Sequence, residues 1–183
     1  MAMALRKVIV VPDGLQAERG TGRALPQPSF MYRGVLDHAA RQYLRDTLYL
    51  APANDFGCGV CEQAAAAAYL RKAAPDVVCV AVAYGQSNYI DTRGNARGMR
   101  LHFEQRSAWP VPPITLIAAR PHARRAALCF RKEGFLIERL VAVDCSIPPE
   151  EPVVSRLWYY RWPTIHATYE ALAYLRDLLR PAA

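Results

Sequence analysis

The chain lacks a long apolar run. No segment of its 183 residues approaches the roughly 20 consecutive apolar residues that cross a bilayer. The first twelve residues combine two positive charges with a short apolar run, but Asp13-Gly14 follows at once, where a secretory signal would have a small-residue cleavage site. They therefore predict a first strand, and we expect a cytoplasmic protein with no membrane partner.

Cysteine is scarce and odd in number, which argues against a disulfide framework. Cys79, Cys129 and Cys145 fall in apolar surroundings that are typical of inert core residues. Cys58 and Cys61 form a CxxC pattern before a predicted helix, as in thiol redox sites, where the helix N-terminus lowers the thiol pKa. The preceding loop has no tryptophan of the thioredoxin type, and no second CxxC supports a zinc site.

Lysine is also scarce, with three lysines among the 23 basic residues that give a formal net charge of +7. The arginines are scattered, and no DNA-binding motif accompanies them, which argues against a nucleic-acid partner. Because arginine binds phosphate and carboxylate groups in a bidentate manner, single arginine-bearing loops predict a small anionic ligand instead.

The chain is rich in short β-branched runs that alternate with segments of helical periodicity. Hydrophobic residues make up 52% of the sequence and charged residues 21%, a globular composition. Strands are predicted over residues 7–11, 47–51, 77–83, 114–119 and 136–143. Helices are predicted over residues 32–47, 61–74, 91–105, about 126–133 and 164–180. This alternation favours an α/β fold, a Rossmann-like three-layer sandwich with a mostly parallel sheet of five or slightly more strands and helices on both faces.

We expect one domain over residues 1–183, with a core at about 7–145 and a C-terminal region over 146–183. That region combines a proline-rich connector, the aromatic segment 157–162 and the last predicted helix. One face of this helix carries Ile165, Leu172, Leu175 and Leu179. The aromatic segment is expected to pack on the core, where it would cover a crevice or form the face of a homodimer. Residues 16–29, rich in glycine, proline and arginine, predict a mobile loop.

Residues 114–125 organise the rest of the chain. Their apolar first half predicts a buried strand, Pro121 ends its ladder, and His122, Arg124 and Arg125 follow at the turn into a helix. In an open α/β sheet, ligands bind beyond the carboxyl ends of the strands, where helix N-termini offer free N–H groups.

The loops after the other strands bring further polar side chains to this edge. The predicted ligand-binding residues there are Asp13, Gly14, Asn54, Ser87, Thr92, Asn95, Arg124 and Arg125. Glu62 is a candidate acid or base, or a partner that orients His122. Several of these residues also have a structural interpretation. Thr92 is suited to cap a helix, Asp13-Gly14 to form a turn, and Glu62 to complement the dipole at a helix N-terminus.

Three motifs resemble the YdcF/SanA-like family of bacterial proteins. They are Cys61-Glu62-Gln63-Ala64, Thr92-Arg93-Gly94-Asn95-Ala96 and His122-Ala123-Arg124-Arg125-Ala126, in the family's order and spacing over residues 8–143. The chain departs from the family pattern at Cys61, where the family has serine, and in the loops after the first two strands. The resemblance implies a Rossmann-like fold and, from one branch of the family, S-adenosylmethionine as a possible cofactor; it singles out Glu62, Thr92, Asn95, His122 and Arg125.

The sequence thus predicts a small enzyme, a transferase or hydrolase, that acts on a nucleotide-like or phosphorylated anion. In this hypothesis His122 is the acid or base and Arg125 the anion clamp. The first alternative is a non-catalytic protein that binds S-adenosylmethionine or a nucleotide. The second is a thiol redox protein that uses Cys58 and Cys61. No ligand spacing requires a metal.

Overall fold

The computed structural model describes residues 7–85 and 89–181. Seven strands lie within them: β1 (Lys7–Val10), β2 (Leu15–Ala17), β3 (Ala24–Pro28), β4 (Thr47–Leu50), β5 (Cys79–Ala81), β6 (Ile114–Ala119) and β7 (Ile137–Val143). The helices of the same part of the chain are α1 (Phe30–Gln42), α2 (Glu62–Ala73), α3 (Thr92–Glu104), α4 (Arg120–Lys132) and α5 (Pro163–Leu179), with a 3-10 helix over Ser155–Arg161. The predicted α/β class is confirmed.

The described residues form a parallel five-stranded sheet in the order β5-β4-β1-β6-β7. Because side chains alternate along a strand, Val8 and Val10 face a core under α1 and α2, while Ile9 faces a second core under α3 and α4. The chain winds from β1 outward to β5 and then returns to β6 on the other side of β1. The connections of the two halves of the sheet therefore run in opposite directions from the carboxyl ends of β1 and β6. This is the topological switch point, where α/β sheets bind ligands.

The glycine-rich residues 16–29, predicted as a mobile loop, instead form a hairpin of β2 and β3. Leu15 and Ala17 bury their side chains, which anchors one strand of the hairpin to the body of the protein. Gly20 and Gly22 take positive φ angles in the turn, a conformation that glycine adopts without steric cost. Turn composition alone does not reveal that the flanking apolar residues are buried.

The helix after β6 begins earlier than the sequence predicts. It starts at Arg120, directly after the strand, with Pro121 in its first turn. Proline is well tolerated there because the first N–H groups of a helix have no intrahelical acceptor. This early start places His122 and Arg125 on the first two turns of α4, facing the switch point.

The last helix turns its leucine face outward and buries a polar one. Its buried residues are His166, Glu170, Ala173 and Asp177, whereas Leu172 and Leu179 are 64% and 84% exposed. The polar face packs on α4, which carries the charged partners described below. No helix of the described chain combines the length and apolarity needed to cross a membrane.

Candidate functional site

A cavity of about 80 Å³ lies at the switch point between the carboxyl ends of β1 and β6. Loops after β1 and β4 and the first turns of α2, α3 and α4 form its walls, while the 3-10 helix and α5 cover it. The predicted site residues among its lining are Asp13, Gly14, Asn54, Glu62, Thr92, Asn95, His122 and Arg125. The sequence therefore identified the strand-side half of this cavity.

Asp13 is the least satisfied polar residue of the cavity. Its side chain is 2% exposed, and neither carboxylate oxygen has a hydrogen-bond partner within the described residues. Burial raises the pKa of Asp13 to about 7, although the nearby Tyr160 hydroxyl lowers it in part. Asp13 can therefore gain or lose a proton near neutral pH.

Glu62, the first residue of α2, lies opposite with its carboxylate held by backbone donors. The N–H of Gly14 donates to Oε2 at 2.5 Å, and the N–H of Asn54 donates to Oε1 at 3.3 Å. Burial raises the pKa of Glu62 to about 8 despite these hydrogen bonds, and the neighbouring Asp13 adds to the increase. Gly14 has a φ of +91°, and a Cβ there would lie 2.8 Å from Leu157 Cδ1, so glycine is needed to seat this donor.

Asn54 and Asn95 hold together the segments that form the walls of the cavity. The Asn54 amide accepts from the N–H of Ile90 at 2.7 Å and donates to its carbonyl at 2.8 Å, which ties the loop after β4 to the segment before α3. Asn95 Nδ2 donates to the Pro52 carbonyl at 2.6 Å. Their bonded atoms are thus committed to the fold, and what they offer a ligand is the shape of the wall.

His122 is buried and uncharged. Its Nε2 lies 3.0 Å from the Thr92 hydroxyl, and its Nδ1 has no partner among the described residues. Burial, together with the charge of Arg125, lowers the pKa of His122 well below its usual value. The ring is therefore neutral at physiological pH and acts there as a hydrogen-bonding group. Asp91 caps α3 by accepting from the N–H of Gly94, so Thr92, which suits a helix cap by sequence, is free to contact His122.

Arg125 reaches the cavity, but its guanidinium already has a carboxylate partner. Nε and Nη2 donate to the two oxygens of Glu170 at 2.6 and 3.0 Å, and Nη1 lies 3.8 Å from Asp177. This pairing disfavours the predicted role of Arg125 as an anion clamp. The neighbouring Arg124 does not join the cavity, because it is exposed and lines a groove between α4, β7 and α5.

The remaining predicted binding residue, Ser87, lies outside the described residues. The aromatic segment 157–162, which the sequence suggests as a crevice cover or a dimer face, supplies Tyr159 and Tyr160 to the lining. Tyr169 of the lining and Glu170, the partner of Arg125, are residues that the sequence did not single out. Stacking holds this cover in place: Tyr160 stacks on His166 with ring centroids 4.1 Å apart, and Tyr159 on Tyr169 at the same distance. A signal was present, since residues 166, 170 and 177 place polar groups on one helical face.

A second, larger pocket of about 540 Å³ adjoins the cavity and shares Asn54, Phe56, Tyr89 and Ile90 with it. Its volume falls within the range of about 300–1,000 Å³ that is usual for small-molecule sites. We call this the outer pocket and the smaller one the inner cavity.

The arginines of the outer pocket are Arg23 and Arg156, and neither forms an ion pair within the described part of the chain. Arg156 lies over the ring of Tyr89, 3.8 Å from its centroid. A guanidinium that stacks on a ring keeps its in-plane donors free for a phosphate or carboxylate. Free cationic groups are thus available in the outer pocket, whereas the cationic groups of the inner cavity have carboxylate partners.

The CxxC cysteines lie at the N-terminus of α2 as free thiols. Cys58 donates to the Val60 carbonyl over 3.4 Å. Burial, with the nearby Asp55 and Glu62 carboxylates, raises the pKa of Cys61, which disfavours the thiolate that redox chemistry requires. In the ranges 7–85 and 89–181, no cluster of three or more His, Cys, Asp or Glu side chains is placed to hold a metal ion.

Comparison with protein-family models, curated proteins and solved structures finds no match to this chain. The resemblance to the YdcF/SanA-like family therefore stays a prediction from the three motifs, and the site is interpreted from its own geometry.

Proposed function

We propose that the protein is a small α/β enzyme, a hydrolase or transferase, that acts on a nucleotide-like or phosphorylated small molecule at the carboxyl edge of the sheet. The observation that carries this proposal is the buried carboxyl pair Asp13 and Glu62, with pKa values of about 7 and 8, at the switch point. Proton transfer is most effective when the pKa of the catalytic group lies near the working pH. Perturbed acids in a cleft are typical of catalytic sites.

The contacts of the pair divide the roles. Two backbone N–H groups hold Glu62 in one orientation, while both oxygens of Asp13 remain available to a ligand. We assign proton transfer with the ligand to Asp13 and assistance to Glu62. His122, predicted as the acid or base, is neutral, and we assign it the task of orienting the ligand through Nδ1 while Thr92 fixes the ring.

The anion belongs in the outer pocket in this proposal. Arg125 is neutralised by Glu170, so the free guanidinium groups of Arg23 and Arg156 take over its predicted role. A ligand that spans both compartments would hold its phosphate there and expose its other end to Asp13. Preformed positioning of this kind supplies much of the rate enhancement in enzymes.

A second candidate function is binding without chemistry. The outer pocket is large enough for a nucleotide or for S-adenosylmethionine, and its lining includes neither Asp13 nor Glu62. A ligand confined to it would meet no group whose pKa is tuned for proton transfer.

The test is a thermal-shift screen against S-adenosylmethionine, nucleoside mono- to triphosphates, sugar phosphates and inorganic phosphate. A ligand that binds the native state raises the melting temperature by mass action. We expect a shift with one phosphorylated class that is reduced in Arg156→Gln, with Arg124→Gln on the exposed groove as the matched control.

Mass spectrometry of the selected ligand after incubation then separates the two candidates. We expect conversion by the wild type and a loss of about 10²–10⁴-fold in Glu62→Gln and Asp13→Asn, the range typical of general acid–base groups. A bound ligand that is recovered unchanged supports the second candidate. A screen without any shift contradicts both.

A further inference from the structure

The inner cavity contains more carboxyl groups than its cations can neutralise. Around it, Arg125 pairs with Glu170, and Arg176 pairs with Asp177 at 2.8 Å. No ion pair within the described residues involves Asp13 or Glu62. The chain carries a net charge of +7, yet this cavity has an uncompensated acidic pair.

The carboxyl group of Asp13 is the polar group of this cavity with the fewest partners. Its side chain is 2% exposed, and neither oxygen accepts a hydrogen bond of good geometry within the described residues, although the nearby Tyr160 hydroxyl lowers its pKa in part. When Asp13 is ionised it is a buried charge without an ion-pair partner, and buried charges in proteins are normally paired. A cation that donates hydrogen bonds is therefore the ligand group that this end of the site lacks.

The inner cavity and the outer pocket thus carry ionisable groups of opposite sign. The inner cavity offers Asp13 and Glu62, and the outer pocket offers the unpaired guanidinium groups of Arg23 and Arg156. A cavity of about 80 Å³ has room for a group of only a few atoms, whereas 540 Å³ holds a much larger one.

We propose that the ligand is a phosphorylated amine, which enters with its ammonium group against Asp13 and Glu62 and leaves its phosphate on Arg23 and Arg156. This inference rests on the proposed function and adds the class of substrate and its orientation. An ammonium group donates up to three hydrogen bonds, which suits the oxygens of Asp13 and the lone pairs of Glu62 that its two backbone donors leave free.

Ammonium binding favours the ionised acids, so the proposal predicts proton release. The groups that face Asp13 are Glu62 from α2, Tyr32 from α1, Arg125 from α4, Tyr160 from the 3-10 helix, Glu170 from α5 and the thiol of Cys145. Among them, Arg125 is held by Glu170 and does not neutralise the pair. A bound cation lowers the pKa of both acids, which then release protons in the range of about pH 6 to 8.

The experiment is calorimetric titration with 2-aminoethyl phosphate, ethyl phosphate and ethanolamine at pH 6.5 and 8.5, in buffers of different ionisation enthalpy. We expect 2-aminoethyl phosphate to bind at least about tenfold more tightly than ethyl phosphate, with release of protons near pH 7. The preference should be larger at pH 8.5, where the acids are ionised, and ethyl phosphate controls for titration of the phosphate itself.

Variants assign each end of the probe. Asp13→Asn should remove the preference for the amine and the proton release while ethyl phosphate binds as before. The double variant Arg23→Gln/Arg156→Gln should weaken both phosphates by a similar factor and leave ethanolamine unchanged. Glu62→Gln provides a second removal of charge if Asp13→Asn does not fold.

The outcomes separate this inference from the proposed function. Equal affinity for 2-aminoethyl and ethyl phosphate, without proton release, overturns the amine assignment and leaves a phosphate-binding enzyme intact. Loss of ethyl phosphate binding in Asp13→Asn, with no effect of the arginine double variant, reverses the orientation and also overturns it. Failure of both of these small phosphates to bind overturns the phosphorylated-amine assignment, while the proposed function is then decided by the thermal-shift screen with nucleotides and sugar phosphates.

Discussion

Two adjacent helices border the site, and different forces hold them in place. α4 buries an apolar face against the sheet, including Ala126 and Phe130, which are both fully inaccessible to solvent. α5 pairs Glu170 and Asp177 with Arg125 of α4, stacks His166 on Tyr160 and turns its leucines outward. Hydrophobic burial fixes α4, whereas ion pairs and ring stacking fix α5. The position of α5, which covers the inner cavity, thus depends on charged groups, whereas the position of α4, which forms one of its walls, does not.

The largest effect should follow a cavity-forming change in α4. Phe130→Ala removes a ring that packs against Phe135, with centroids 5.2 Å apart, and we expect a loss of about 3–5 kcal/mol in the free energy of unfolding. Leu172→Ala on the exposed face of α5 is the matched control and should change stability by no more than about 0.5 kcal/mol. Urea denaturation of both variants measures the difference. Equal losses would mean that the outer face of α5 is buried in solution.

Removing the charged partner in α5 should have an effect of similar or somewhat smaller size. Glu170→Ala leaves the buried Arg125 guanidinium without its bidentate partner, which costs about 3–5 kcal/mol in comparable buried pairs. In the double variant Arg125→Met/Glu170→Met the unpaired charge is gone, so most of that stability should return. A double variant as unstable as Glu170→Ala would show that the pair acts through more than charge compensation.

The difference between the helices explains what the sequence could predict. The position of the turn with His122 could be predicted from local sequence. The apolar run identifies β6 as a buried strand, and the order of strands and helices places the turn that follows it at the sheet edge. By the same rule the leucine stripe of α5 would face the core, yet it faces outward. Its orientation is set by Arg125, a residue far away in sequence that a buried Glu170 must neutralise, and local periodicity contains no information on that pairing.

The same limit applies to the roles of the site residues. The order of strands and loops placed Asp13, Glu62 and His122 at one edge, and the structure brings them to one cavity. The pKa of each depends on burial by the C-terminal cover, which comes from residues 155–180. The sequence therefore predicted which groups gather there but not which of them titrates near neutral pH.

An effect that builds up gradually with pH should come from Asp13. Burial raises the pKa of Asp13 from 3.8 to about 7, so the folded protein keeps a proton that the unfolded chain releases above about pH 4. The contribution of Asp13 is least unfavourable below pH 4 and becomes more unfavourable until about pH 7, by up to about 1.4 kcal/mol per pH unit. Asp13→Asn removes this dependence, so its stability relative to wild type should improve between pH 5 and pH 8. Urea midpoints across this range provide the measurement, and parallel curves for the two proteins would contradict the buried, unpaired state of Asp13.

The smallest effect on stability should come from the outward face of α5, which decides whether the comparison between the helices holds in solution. This face presents Ile165, Leu172, Leu175 and Leu179 to solvent, whereas the homodimer face suggested by the sequence is the aromatic segment 157–162. Leu172→Glu should alter the free energy of unfolding of the monomer by no more than about 0.5 kcal/mol, because the side chain is 64% exposed. Light scattering coupled to gel filtration should show the same mass for the wild type and for Leu172→Glu, because the leucines of α5 face water. The matched control Leu44→Glu, on a side chain that is 52% exposed after α1, should also keep the wild-type mass. A lower mass for Leu172→Glu alone would mean that the leucine face of α5 is buried between two copies of the chain in solution.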